Sequence, residues 1–149
     1  MGLLMWLKAK LDGSAVSAEM PHIEDHEKML GSLDMRDAIA AHMRWVKRVN
    51  ALIAGDDGEY IDIATVSRDD ACTLGKWLHG EGREKFAHYK EYEQLLHSHA
   101  EFHLQVGDAC ICHNRGDIDR ATQLARHEVR DLSDQVQLDI VRLYTRHHH

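Results

Sequence analysis

Apolar residues recur every three or four positions through most of this chain, and at three such positions a histidine stands where leucine would be expected. After Asp34 the pattern runs Met35, Ile39, His42, Val46, Val49, Ile53, steps of four and three that line one face of a helix packed in a bundle. A second run follows the same period through Tyr92, Leu95, His99, Phe102 with His103, Val106 and Cys110. A third passes through Ile118, Ala121, Ala125, Leu132, Val136 and Leu143. A single proline in 149 residues leaves room for long helices. The expected fold class is therefore all-α, an antiparallel helical bundle.

Helix signals set the expected boundaries. Asp34 is an N-cap candidate for a first helix to about Ala54, stopped by Gly55. From Asp56 to Arg83 the period is lost among Asp56-Asp57-Gly58, Gly75, Gly80 and Gly82, which predicts a long connection with one short helix near Asp70 to His79. That helix carries Cys72, with Asp69 or Asp70 to cap it. A long helix is expected from about Glu84 to His113, then Gly116-Asp117 as a stop and a fresh cap, and a last helix to about Tyr144. Residues 1–30 read as an N-terminal extension: an amphipathic start (Leu3, Leu4, Trp6, Leu7, Leu11) breaks at Asp12-Gly13-Ser14 and again at Pro21. Residues 31–145 form the bundle domain, and residues 146–149, ending in His147, His148 and His149, resemble the remains of a purification tag.

Charge narrows the partners. Twenty-five acidic residues against 18 basic ones give a net charge of -7, with no basic stripe to neutralise phosphates, so nucleic acid is an improbable partner. The apolar run from Met1 to Leu7 is far shorter than the roughly 20 residues a membrane-spanning helix needs. It has no positive leading region or small-residue cleavage site, so a cytoplasmic location is expected. In that compartment Cys72, Cys110 and Cys112 are read as reduced thiols, not as a disulfide framework.

His99 and His103, four residues apart, project from one face of a helix and can share a metal ion. The pair lies on an apolar stripe, where an unpartnered imidazole costs on the order of 1–3 kcal/mol to bury, so something should compensate it. His42 presents the same difficulty on the first helix, and Cys72 sits on a segment able to close over the gap. Three neutral imidazoles and one thiolate complete a tetrahedral set for Zn²⁺. Such a centre carries a net charge of +1, which a nearby carboxylate can offset; spacing does not say which one. Cys110 and Cys112 are read as a buried and a solvent-facing thiol near a helix end, and Trp45 and Trp77 as core anchors.

Three stretches carry a resemblance to a known family. They are Ala41-His42 followed by Trp45; Cys72-Thr73-Leu74-Gly75-Lys76-Trp77-Leu78 with Gly80-Glu81-Gly82 behind it; and His99-Ala100-Glu101-Phe102-His103. Over roughly Met35 to Tyr144 the chain resembles the chemoreceptor zinc-binding domain, and the Cys-x-Leu-Gly-Lys-Trp segment is the specific part. The resemblance implies a four-helix bundle with a zinc site whose ligands map onto His42, Cys72, His99 and His103. It also implies a homodimer that regulates an attached chemoreceptor or diguanylate cyclase in response to zinc or to oxidants such as hypochlorous acid. The chain carries neither a coiled-coil signalling hairpin nor a cyclase domain, so output is expected through a separate partner or the N-terminal extension.

Four protein ligands leave no open coordination position, which argues for a sensor and against an enzyme. A hemerythrin-like or ferritin-like di-iron bundle is the alternative. It needs bridging carboxylates, and the only Glu-x-x-His, Glu19 to His22, is interrupted by Pro21. A third reading is a structural interaction protein whose histidines are simply buried.

Overall fold

The computed structural model describes residues 29–55 and 61–148. The amphipathic start at Leu3 to Leu11, His22, His26 and His149 lie outside the described residues. The described chain is mostly helical, as the period predicts.

It begins with a two-stranded antiparallel hairpin too short to leave an alternation in the sequence: β1 (Met29–Leu30) pairs with β2 (Leu33–Asp34). Gly31 supplies the positive φ of +59° that the turn needs. Leu30 and Leu33 are buried, and Ser32 donates from both its hydroxyl and its backbone N–H to the Glu81 carboxylate. The first helix, α1 (Met35–Ile53), starts where the cap signal put it: the Asp34 carboxylate accepts from the Asp37 N–H at 3.1 Å. Met35, Ile39, His42 and Val49 are buried as the stripe predicts, whereas Val46 and Ile53 are only partly covered.

Among the described residues the connection holds three short helices where one was expected: α2 (Ile63–Val66), α3 (Thr73–His79) and α4 (Glu81–Phe86). The glycines there are not all breaks. Gly80 is a hinge between α3 and α4, and Gly82 lies inside α4 because a side chain at that position would strike the Trp77 ring. The cap of α3 is neither Asp69 nor Asp70 but Cys72 itself, whose Sγ accepts from the Gly75 N–H at 3.3 Å.

The second long helix, α5, spans Lys90–Asn114 and begins six residues later than the sequence suggests. Tyr89 is extended (φ -87°, ψ 134°), and the chain turns there as its ring stacks beside Phe86 at 6.3 Å. After Gly116 (φ +83°) the Asp117 carboxylate caps α6 (Ile118–Gln123). A π-helical turn, Leu124–Val129, leads on to α7 (Arg130–His148). Backbone angles stay right-handed helical at both joins, so the three pieces run on as one rod. The rod extends past Tyr144, with the His147 ring edge-on to Phe86 at 4.9 Å.

The central element is α5, with α1, α2, α6, the π turn and α7 all packed against it around one core. Two glycines bring the connection close to it. A Cβ on Gly107 of α5 would run into Ser67, and one on Gly75 would run into the backbone carbonyl of Asp69. The Gly75 contact is with backbone, which cannot rotate away. Gly75→Ala is therefore expected to destabilise the fold by on the order of 1–3 kcal/mol, seen as a lower midpoint in thermal melting. An unchanged midpoint would show that the loop has room to move.

Candidate metal centre

Four side chains from three stretches of chain converge between α1, the start of α3 and the middle of α5. One ligand atom from each of His42, Cys72, His99 and His103 lies within 4.8 Å of all the others. The structure thus brings together all four residues singled out in the sequence. The group contains no carboxylate. Helical period explains the histidines: α1 turns His42 inward, and α5 turns His99 and His103 inward on successive turns. Cys72 reaches them because residues 67–72 fold back over α5 at Gly107.

Distances suit a single divalent ion. The Cys72 Sγ is 3.2 Å from His99 Nε2 and 3.5 Å from His103 Nε2, and the two Nε2 atoms are 3.0 Å apart. Tetrahedral zinc with bonds of about 2.0–2.1 Å to nitrogen and 2.3 Å to sulfur sets its ligand atoms about 3.3 Å (N···N) and about 3.6 Å (N···S) apart. Donor chemistry agrees as well. The Nδ1–H of His103 donates to the Val66 carbonyl at 2.7 Å, which leaves its Nε2 lone pair facing the cluster.

Without a cation the arrangement is poorly compensated. His99 is 0% exposed and His42 and His103 are each 2% exposed, and the Nδ1 atoms of His42 and His99 are buried without a hydrogen-bond partner. Burial, reinforced by the neighbouring imidazoles, lowers the pKa of His42 to about 3 and that of His99 to about 2. Burial also lowers that of His103, partly opposed by its bond to Val66. Burial raises the Cys72 thiol above its ordinary value, opposed by the backbone N–H groups of Gly75 and Leu74. All three imidazoles are thus held neutral, the form that ligates, and a bound divalent cation would reverse the thiol's preference.

The cysteine is reachable. It is half-buried and borders a cavity of about 70 Å³ whose other walls include Trp45, Thr65, Val66, Arg68 and His103. Cys110 is fully buried, and burial raises its thiol to about 11; Cys112 is partly covered by core residues, so it does not face solvent as freely as its position suggested. Trp77 is a core residue, and Trp45 packs partly buried with the Arg48 guanidinium 4.4 Å over its ring. Sequence reasoning passed over His79, which bridges Asp69 and Arg83 beside the Cys72 segment. Only its place one turn beyond Lys76, at the end of the helix that Asp69 and Asp70 precede, hinted at it.

The family model for the chemoreceptor zinc-binding domain matches residues 42–110, a span that opens on His42 and includes the whole cluster. No curated protein and no solved structure matches the chain.

Because the folded pKa values of His42 and His99 lie below the unfolded value of about 6.5, their contribution to stability is complete above that pH. It is lost as pH falls toward 3 and 2, where the unfolded chain takes up protons the folded one refuses. Chelator-treated protein should lose up to about 1.4 kcal/mol per pH unit for each histidine below pH ~6.5, measured by urea unfolding. A flat profile between pH 7 and pH 4 would contradict the burial argument.

Proposed function

The chemoreceptor zinc-binding domain model matches residues 42–110, and on that premise we propose that this chain is a zinc-holding sensory domain of that family whose signal is the state of Cys72. The observation that carries the reading is the convergence of three near-fully buried imidazoles on one half-buried cysteine. His42, His99 and His103 supply neutral nitrogens from the helices, and Cys72 supplies a thiolate from the connection. A bound zinc ion supplies charge that keeps this sulfur deprotonated and still nucleophilic.

The chain's own residues do the rest. The Val66 carbonyl fixes the tautomer of His103, the Gly75 N–H orients the sulfur, and the cavity beside Trp45 admits a small oxidant. An oxidant of the hypochlorous acid class takes two electrons from the thiolate, giving a sulfenic acid at Cys72 and a chloride ion. That sulfur is then a poorer ligand, and the segment from Ser67 to His79 loses its tie to α5. Depletion of zinc releases the same segment. In this reading the domain is no enzyme, because four protein ligands leave no position for substrate.

We further place it in an antiparallel four-helix bundle. In this reading α1, α5 and the α6–α7 rod serve as three walls, and the short helices close the fourth. It acts in the cytoplasm as a homodimer and passes its signal to a chemoreceptor or diguanylate cyclase. No helix among the described residues is long and apolar enough to cross a membrane. The di-iron alternative has little support: the cluster offers no bridging carboxylate.

Cys72→Ala is expected to reduce bound zinc, measured by elemental mass spectrometry, from one equivalent to a minor fraction and to lower the melting temperature of the zinc-treated protein. A stoichiometric dose of hypochlorous acid on the parent chain should release zinc as Cys72 gains oxygen. One tightly held equivalent in the variant would refute the ligand set.

A further inference from the structure

Asp69 stands three residues before Cys72, and its two oxygen-bearing groups act in different directions. Its backbone carbonyl lies against Gly75 so closely that no side chain fits there, which seats the loop on the first turn of α3. Its carboxylate reaches the other end of the same helix, with Oδ2 3.2 Å from His79 Nε2. His79 Nδ1 in turn is 3.4 Å from a guanidinium nitrogen of Arg83 on α4. Arginine offers no acceptor, so Nδ1 must accept, and the ring proton therefore sits on Nε2 and is donated to Asp69. A neutral imidazole satisfies both contacts. The chain of donors from Arg83 through His79 to Asp69 closes a loop around the segment that carries Cys72.

The neighbouring Asp70 is engaged elsewhere, its carboxylate 2.9 Å from Nε of the exposed Arg68. Asp69, by contrast, belongs to the segment that brings Cys72 to the histidines: it precedes that cysteine by three residues, and its carbonyl lies against Gly75 in the first turn of α3. Three neutral imidazoles and a thiolate around a divalent ion leave a net charge of +1 that calls for a negative neighbour.

We infer that Asp69, held by His79 and Arg83, is the positioning residue that supplies the metal centre's balancing charge and pins the Cys72 segment beside the histidines. The inference rests on the zinc reading above. It assigns to the loop, not to the ligands alone, control over how readily the sulfur leaves.

The test compares the full chain with Asp69→Asn, which keeps an oxygen to accept from His79 but removes the charge, and His79→Ala, which keeps the charge but removes the tie. Asp70→Asn is the control. Zinc affinity is read by competition with a chromophoric chelator, and the alkylation rate of Cys72 in the metal-free proteins is read by peptide mass spectrometry. Asp69→Asn and His79→Ala should each weaken zinc binding by about 10-fold or more, with the control within about twofold of the parent. Alkylation of Cys72 should speed up in His79→Ala more than in Asp69→Asn, a difference that general loss of stability would not produce. Affinities of both variants within about twofold of a zinc-binding parent overturn this inference alone. A parent chain that binds no zinc overturns the zinc reading and this inference with it.

Discussion

Three imidazoles that water scarcely reaches occupy the seam between α1 and α5, and the cost of keeping them there sets the terms for the surrounding structure. Leucines at 42, 99 and 103 would fill the same volume with no polar atom to satisfy. Two Nδ1 atoms remain without partners. At on the order of 1–3 kcal/mol for each unsatisfied buried group, such a core calls for a compensating interaction, and the ring nitrogens that converge in the cluster are where a cation would supply one. The proximity of a cysteine sulfur to two of those rings supplies the geometry in which a divalent cation would do so.

Around that centre the fold divides its labour. Long helices with a continuous apolar stripe hold the histidines at fixed depth. The fourth side chain comes from a connection that touches α5 through a glycine and is folded tightly at its own Gly75. On the proposed reading, loss of the sulfur would change the position of residues 67–79 more than that of α1 or α5, which would give the site a mechanical consequence.

Much of this was legible in the amino-acid sequence, and the reason is periodicity. His42, His99 and His103 announce themselves because each interrupts an apolar row of fixed spacing, and Asp34 and Asp117 announce helix starts by capping chemistry. What was not legible depends on contacts across the chain. Gly82 reads as a break until the Trp77 ring is seen to occupy the space a side chain would need. The late start of α5 follows from Tyr89 turning the chain beside Phe86, which no local pattern encodes. The π turn at Leu124–Val129 preserves the helical direction and so leaves only a slight drift in the stripe. For the same reason Asp69 and Asp70 read as interchangeable capping residues in the sequence, whereas in the fold Asp70 turns toward Arg68 and Asp69 toward His79.

X-ray absorption at the zinc edge, on the purified and zinc-loaded full chain, reads the proposed coordination shell itself. A four-coordinate ion is expected, with three nitrogen neighbours at about 2.0–2.1 Å and one sulfur at about 2.3 Å. A shell of six oxygens, or four light neighbours with no sulfur, would contradict it.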